Sequence, residues 1–237
     1  MTTTTVKIEQ KIEPDLQKPL IIAAMQDMGD VGSIVIDFIN NSLDTHPFRK
    51  ISSSLPGYVI DNGGFIELPE ETWEYRYAKD TVVFGGGAGQ PQTNEELNTL
   101  CQDVIDIAKR YSARFIYTVG GFHTNRDFGK EPKTFVTTTS ASLADRVRKL
   151  GVDTTPEQSI ITGFNGLILG FAKQNNIEGI GLYGELNDPK VPQYRSAKSI
   201  IKTLEKLTYQ KFADTSDLDM MADAVEDKVR TKGSLDI

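Results

Sequence analysis

The segment Thr81–Tyr111, TVVFGGGAGQPQTNEELNTLCQDVIDIAKRY, decides the fold class of this chain. It opens with a short apolar run, passes through a glycine-rich loop, and continues in a stretch whose apolar residues recur at helical spacing. Comparable strand-like runs that lead into loops and helical patterns are PLIIAAM (19–25), RFIYTVGGF (114–122) and EGIGLYGEL (178–186). Repeated strand–loop–helix units predict an α/β fold, with a mostly parallel central sheet flanked by helices on both faces.

The region between Phe48 and Phe84 has a different pattern. GYVIDNGGFIEL (57–68) places Asn62-Gly63-Gly64 between two short β-rich runs, which is a hairpin signal. TWEYRYA (72–78) alternates in the manner of a strand. We therefore expect extra antiparallel or edge strands in this part of the chain.

The ends of the chain differ in composition from its centre. Residues 1–18 are mostly polar and predict a flexible N-terminal arm. Residues 19–212 are expected to form the α/β domain, and residues 213–237 a C-terminal amphipathic helix and tail.

Composition narrows the classes of function. The net charge of −7 argues against broad binding of nucleic acid or of anionic membranes, since both require a basic surface. No apolar run approaches the length of a membrane span, and the first residues lack the basic and apolar regions of a signal peptide. The single cysteine, Cys101, excludes an intrachain disulfide. A cytoplasmic protein without nucleic-acid or membrane partners is the expectation.

The glycine-rich loop does not match either common phosphate-binding motif. Counted from Gly85, the third glycine of the dinucleotide fingerprint would stand where the chain has Gln90, and no lysine lies between Lys79 and Lys109 to complete a phosphate loop. Thr93 and Glu96 have the spacing of a capping box, which would satisfy the N–H groups of the helix internally. A tight self-capped turn and an anion site built from backbone N–H groups both remain open.

Glycines at several strand ends predict a backbone-lined crevice, because ligands of open α/β sheets bind beyond the carboxyl ends of the strands. The residues expected to line this crevice are Asp27, Gly29, Gly32, Gly86, Gly89, Gln90, Gly121, His123, Asn165 and Glu185. Asp30 could also face the crevice, and it is equally placed to cap the following helix. Glu185 is open to a second interpretation, as a solvated carboxylate.

No set of side chains predicts catalysis or metal binding. His46 and His123 are far apart in sequence, and neither has the neighbours of a metal site. Cys101 falls on the apolar face of its helix, where a small core residue is the simpler interpretation than a reactive thiolate. We therefore assign no catalytic, cofactor-binding or metal-binding residue.

The last predicted helix carries an apolar stripe surrounded by acidic residues. It either packs on its own domain or forms an interface between copies of the chain. The candidate interface residues are Leu218, Met221, Val225 and Val229.

Several of these segments together resemble the proteasome assembly chaperone 2 (PAC2) family, particularly its archaeal members. They are MQDMGDVGSIVIDFI (25–39), GGGAGQPQ (85–92), YTVGGF (117–122) and ITGFNGLILG (161–170), the last being the most specific, followed by a segment with Pro189 and Pro192. The resemblance runs from about Pro19 to about Tyr209.

The resemblance implies a sandwich like that of nucleoside phosphorylases, homo-oligomers, and binding to subunits of the 20S proteasome core without enzymatic activity. Docking members of the family end in a hydrophobic–tyrosine–any tripeptide. Here Leu235 fits the first position, whereas Asp236 replaces the tyrosine. The alternative hypothesis is an enzyme or sensor that binds a nucleoside or phosphorylated ligand in the strand-end crevice.

Overall fold

A computed structural model of the chain describes residues 6–53, 58–87, 89–91, 93–156 and 158–233. The strands are β1 (Val6–Gln10), β2 (Leu20–Ala23), β3 (His46–Ser53), β4 (Ile60–Asp61), β5 (Ile66–Glu67), β6 (Glu71–Ala78), β7 (Thr81–Gly85), β8 (Phe115–His123), β9 (Thr134–Thr138) and β10 (Gly179–Leu186). The α-helices are α1 (Val31–Leu43), α2 (Asn94–Arg110), α3 (Ala141–Lys149), α4 (Phe164–Gln174), α5 (Tyr194–Thr208) and α6 (Ser216–Gly233), and a short 3₁₀ turn, Met28–Asp30, precedes α1.

Eight strands form one mixed sheet in the order β1-β3-β6-β7-β2-β8-β10-β9. Strands β7, β2, β8 and β10 run parallel at its centre. Strands β6, β3 and β1 continue it in antiparallel fashion on one side, and β9 does so on the other. The predicted α/β class is confirmed, and the region after Phe48 supplies the expected antiparallel strands.

The sheet separates two apolar layers. One core lies under α1, α3, α5 and the start of α6, with contributions from the fully buried Val35, Leu182 and Ile200. The other lies under α2 and α4 and includes Trp73 and Phe84. Central strands read as continuous apolar runs because both of their faces are covered. No helix in the described ranges combines the length and the apolar character needed to cross a membrane.

Strand β1 corrects the expectation for the N-terminal region. Val6–Gln10 pairs with β3 in antiparallel register, from Val6 opposite Ser53 to Gln10 opposite Arg49. The prediction of a flexible arm over residues 1–18 did not anticipate this strand. Its five residues are mostly exposed, and even Ile8, which lies opposite the buried Ile51 of β3, is 43% exposed.

The hairpin predicted around Asn62-Gly63-Gly64 is confirmed. Strands β4 and β5 pair with each other in a separate two-stranded sheet. Gly63 and Gly64 have φ of 68° and 105°, a region that favours glycine. The carboxylate of Asp61 accepts a hydrogen bond from the Gly64 N–H at 2.8 Å, which closes the turn.

The capping arrangement predicted for Thr93 and Glu96 is present in part. The Thr93 hydroxyl accepts a hydrogen bond from the Glu96 N–H at 3.2 Å. The Glu96 carboxylate is buried, and it accepts from the hydroxyls of Thr93 and Ser53. The start of α2 is therefore satisfied internally and tied to β3.

Replacing Thr93 tests this cap. Thr93→Ala is expected to lower the free energy of unfolding by about 1 kcal/mol, because the Glu96 N–H loses its acceptor. Thr99→Ala, in the interior of the same helix, is the matched control and should change stability little, since alanine is the better helix former. Urea titrations of both variants provide the measurement, and equal stabilities for the two would contradict the cap.

Candidate functional site

Asn165, in the first turn of α4, joins that helix to the end of β2. Its Oδ1 accepts from the Met25 N–H at 2.9 Å, and its Nδ2 donates to the Met25 carbonyl at 3.1 Å. The side-chain amide thus pairs with the backbone as a neighbouring strand would. Asn165 is buried, and its own carbonyl accepts from the hydroxyl of Tyr183 at 3.1 Å.

Gln90 forms the second link across the strand ends. Its Nε2 donates to the Gln26 carbonyl at 3.0 Å, and its Oε1 accepts from the Phe164 N–H, the first of α4, at 2.8 Å. The glycine-rich loop after β7 is therefore held against both the β2 end and the start of α4. A side-chain oxygen occupies the helix N-terminus where an anion would bind.

Close approach at these links requires glycine at two positions. Gly163 has φ of 71°, and a Cβ there would lie 3.0 Å from the Gln90 Oε1. A Cβ on Gly32 would lie 2.4 Å from the Met25 carbonyl oxygen. Gly163 makes room for the Gln90 side chain, and Gly32 makes room for the Met25 carbonyl at the end of the preceding strand β2.

Asp27 holds the third link and replaces Asp30 as the residue that serves the start of α1. Its carboxylate accepts from the Gly32 N–H at 2.8 Å and from the Gly121 N–H, in β8, at 2.5 Å. Asp30 makes no capping bond and instead accepts from the Gln26 amide. Burial raises the pKa of Asp27 to about 6, with a contribution from the charge of Asp30, although the two N–H donors oppose the shift.

The other predicted glycines serve packing between loops. The Gly29 N–H donates to the Pro189 carbonyl at 2.9 Å, and the Gly29 carbonyl accepts from Gln193 at 2.8 Å. The Gly89 carbonyl accepts from the indole of Trp73 at 3.2 Å. Gly86 borders a polar groove of about 650 Å³ between α1 and the β6–β7 strands, outside the strand-end cluster.

Glu185 and His123 do not join the predicted crevice. The buried Glu185 carboxylate forms a two-pronged ion pair with Arg126 and accepts from the Lys133 N–H at 2.8 Å, so the interpretation as a solvated residue is wrong. Burial raises the pKa of Glu185, but the Arg126 guanidinium and the Lys133 N–H outweigh it and hold the pKa below its usual value. His123 is exposed at the end of β8.

The strand-end crevice is thus filled by the protein's own side chains. The side chains of Asp27, Gln90 and Asn165 each form hydrogen bonds with backbone atoms of another loop, strand or helix start. Among the described residues, no three histidine, cysteine, aspartate or glutamate side chains come together to hold a metal ion. Cys101 is fully buried, and burial raises the pKa of its thiol to about 12, in keeping with a core residue.

Sequence reasoning missed the partners of these groups. Tyr183, Trp73 and Arg126 each contact a predicted site residue across at least 16 positions of sequence. No local motif marks such pairs, since they depend on which loops the sheet topology brings together.

The C-terminal helix packs on its own domain at its start. Leu218 and Ala222 are buried against the core, so Leu218 is not available for an interface with another copy. Arg195 of α5 lies in ion pairs with Asp219, Asp223 and Glu226 of α6. Of the other predicted interface residues, Met221 and Val229 are nearly half exposed, and Val225 is half-buried.

The β4–β5 hairpin exposes a concentration of large apolar side chains. The hairpin lies between β3 and β6, whose residues Ser53 and Glu71 pair with each other, and further along β6 Glu74 pairs with Gly85 at the carboxyl end of β7. Its apolar side chains are each between 45% and 65% exposed, and they belong to Tyr58, Val59, Ile60, Phe65, Ile66 and Leu68. Such clusters on a protein surface mark sites of interaction with other molecules. We call residues 58–68 the apolar hairpin.

Removing Asn165 tests the seal of the crevice. Asn165→Ala leaves the N–H and carbonyl of Met25 without their partner and should lower the free energy of unfolding by about 2–5 kcal/mol. The exposed Asn98→Ala on α2 is the control and should stay within about 0.5 kcal/mol of the unchanged protein. Denaturant titration measures both, and a loss below 1 kcal/mol for Asn165→Ala would contradict the role of the bridge.

Asp27 predicts a pH dependence of stability. Because the folded state binds the Asp27 proton more tightly than the unfolded state, this residue's contribution to stability falls as the pH rises from about 4 to about 6. Relative to Asp27→Asn, the unchanged protein should lose on the order of 2 kcal/mol across this window. Urea titrations from pH 4 to 7 measure the difference, and parallel curves for the two proteins would exclude the shift.

The sequence model of the PAC2 family matches residues 21–231 of this chain. An uncharacterized protein of Methanocaldococcus jannaschii is 28% identical over 203 residues, covering 83% of this chain and 76% of the relative.

Solved structures with the same fold include two from Pyrococcus furiosus. PbaB, described as an archaeal proteasome activator, has a TM-score of 0.82 at 22% identity, covering 98% of this chain and 100% of its own. PbaA, described as an archaeal homologue of proteasome-assembly chaperone, has a TM-score of 0.78 at 18% identity, covering 97% and 92%. The architecture resembles theirs over almost its whole length, and the match of the family's sequence model over residues 21–231 shows that the chain belongs to the PAC2 family.

Proposed function

We propose that this chain acts as a non-enzymatic, homo-oligomeric protein of the proteasome assembly chaperone type that binds subunits of the 20S proteasome. The main support for the proposal is a contrast between two regions at the same end of the sheet. The strand-end crevice is filled by Asp27, Gln90 and Asn165, whereas the neighbouring apolar hairpin exposes its large side chains.

The similar structures point in the same direction. PbaB is described as a proteasome activator and PbaA as a homologue of a proteasome-assembly chaperone. At 22% and 18% identity these likenesses support a common fold, and the function is our inference for this chain.

The apolar hairpin is the surface we assign to the proteasome subunit. A two-stranded hairpin alone is only marginally stable in water. A partner that covers its apolar side chains would remove them from water and would also stabilise the hairpin. The chain has no lysine or arginine between Lys50 and Arg76, and Asp61 and Glu67 are exposed on the hairpin. A subunit surface that is apolar and rimmed by basic residues would complement it.

The proposal does not depend on the C-terminal tail. Leu235 and Asp236, which bear on the docking tripeptide, lie outside the described residues. The expectation that α6 forms the oligomer interface now rests on Met221, Val225 and Val229, because Leu218 packs inside the domain.

The alternative of an enzyme or sensor for nucleosides or phosphorylated ligands has less support. A ligand at the strand ends would have to displace Gln90 from Gln26 and Phe164, and Asn165 from Met25. Displacing Asn165 leaves the buried N–H and carbonyl of Met25 without partners, which costs about 1–3 kcal/mol per group.

Binding to purified archaeal 20S proteasome, measured by surface plasmon resonance, tests the proposal. Phe65→Ala and Ile66→Ala should each weaken binding about tenfold or more if these side chains are anchors of the interface. Both side chains are more than half exposed, so the fold should be retained.

Met220→Ala, an equally exposed apolar position on α6, is the matched control and should bind as the unchanged protein does. No binding by the unchanged protein would overturn the proposed function. Equal binding by all variants would overturn the assignment of the surface.

A further inference from the structure

The outer edge of β1 presents unpaired backbone groups. Within the described residues, β1 is bonded to β3 on one side and to no strand on the other. The Lys11 N–H donates to the Phe48 carbonyl at 2.8 Å, so the alternation of an antiparallel ladder turns the backbone groups of Lys7 and Glu9 toward β3 as well. The N–H and carbonyl groups of Val6, Ile8 and Gln10 therefore point away from the sheet.

The edge lacks most of the devices that keep such strands from pairing. Its five residues contain no proline or glycine, and their register against β3 runs without a shift. Lysines commonly protect an edge by repulsion between like charges. Here Lys7 and Glu9 lie on the same face of the strand and form an ion pair with each other at 2.6 Å. The edge therefore carries both signs of charge rather than lysines alone.

The sequence VKIEQ is self-complementary when it pairs with itself in antiparallel direction. With Ile8 opposite Ile8 of a second copy, Lys7 of each chain lies opposite Glu9 of the other. Moving the centre by one residue, to Lys7 or Glu9, sets lysine against lysine or glutamate against glutamate, which is destabilising. Charge thus selects one register among the neighbouring ones.

The same register is compatible with the backbone. Val6, Ile8 and Gln10, whose groups point outward, would face the outward groups of Gln10, Ile8 and Val6 in the second copy. Lys7 and Glu9 of the second copy would form non-hydrogen-bonded pairs, whose Cα atoms lie about 4.5 Å apart and whose side chains are closest. Ile8, 43% exposed in the single chain, would lose water-exposed surface.

We propose that two copies of this chain join edge to edge through β1, antiparallel and centred on Ile8, and so form one continuous sheet across a two-fold axis. The proposal rests on the homo-oligomer of the proposed function and assigns it a surface other than α6. The partner is a second copy of the chain, because the charges of the edge are complementary when the strand pairs with itself in the antiparallel direction.

Charge reversal in the full chain tests this interface by sedimentation equilibrium. Lys7→Glu should weaken dimer formation roughly tenfold, because two lysine–glutamate pairs become two glutamate–glutamate pairs. Lys7→Glu with Glu9→Lys restores opposite charges and should restore the dimer. Lys190→Glu, the same change on an exposed loop, should leave the mass distribution unchanged.

Cysteine pairs test the register. A mixture of Lys7→Cys and Glu9→Cys proteins should form a disulfide-linked heterodimer under mild oxidation, since their Cα separation suits a disulfide. Either protein alone should cross-link far less, and the buried Cys101 should not compete.

A monomer at micromolar concentration, or a dimer insensitive to Lys7→Glu, would overturn the proposal. Neither result depends on the proteasome, and a failure to bind 20S subunits would leave the dimer measurements unaffected.

Discussion

The paired hydrogen bonds between the Asn165 amide and the backbone of Met25 are the contact on which the strand-end architecture depends. They join groups 140 residues apart and give the end of β2 the partner that no strand supplies there. Once α4 is fixed by this pair, its first N–H is within hydrogen-bonding reach of Gln90. The loop after β7 is thereby held against the end of β2 and the start of α4. A side-chain amide in low dielectric surroundings is well suited to this role, because it both donates and accepts.

Because of these contacts, we do not expect the carboxyl ends of the strands to be the binding surface of this protein. In open α/β sheets the carboxyl ends of the strands are the usual place for a ligand. Here backbone donors and acceptors at that place are satisfied by the chain itself, and Asp27 does the same between α1 and β8. We infer that other proteins dock on the apolar hairpin and on the open edge of β1, because exposed apolar clusters and unpaired strand edges are both sites of association.

Local patterns predicted the fold class well and the site only in part. The strand–loop–helix repeats, the hairpin at Asn62-Gly63-Gly64 and the cap at Thr93 follow from nearest-neighbour chemistry, and the structure contains them. The partners of Asn165 and Gln90 follow from topology, which no local window encodes. Strand β1 escaped prediction because residues 1–18 are mostly polar and the alternation of VKIEQ covers only five residues, most of them exposed. The burial of Leu218 escaped it because an apolar stripe does not say which surface covers it.

Amide hydrogen exchange, measured on the chain alone and in the presence of 20S proteasome, tests most directly whether partners bind the hairpin rather than the strand ends. We expect slow exchange at Met25 and Phe164 in both states, because Asn165 and Gln90 already hold these groups, and new protection confined to the apolar hairpin when the proteasome is added. Fast exchange at Met25 and Phe164 in the free chain, followed by protection there and none at residues 58–68, would contradict this expectation.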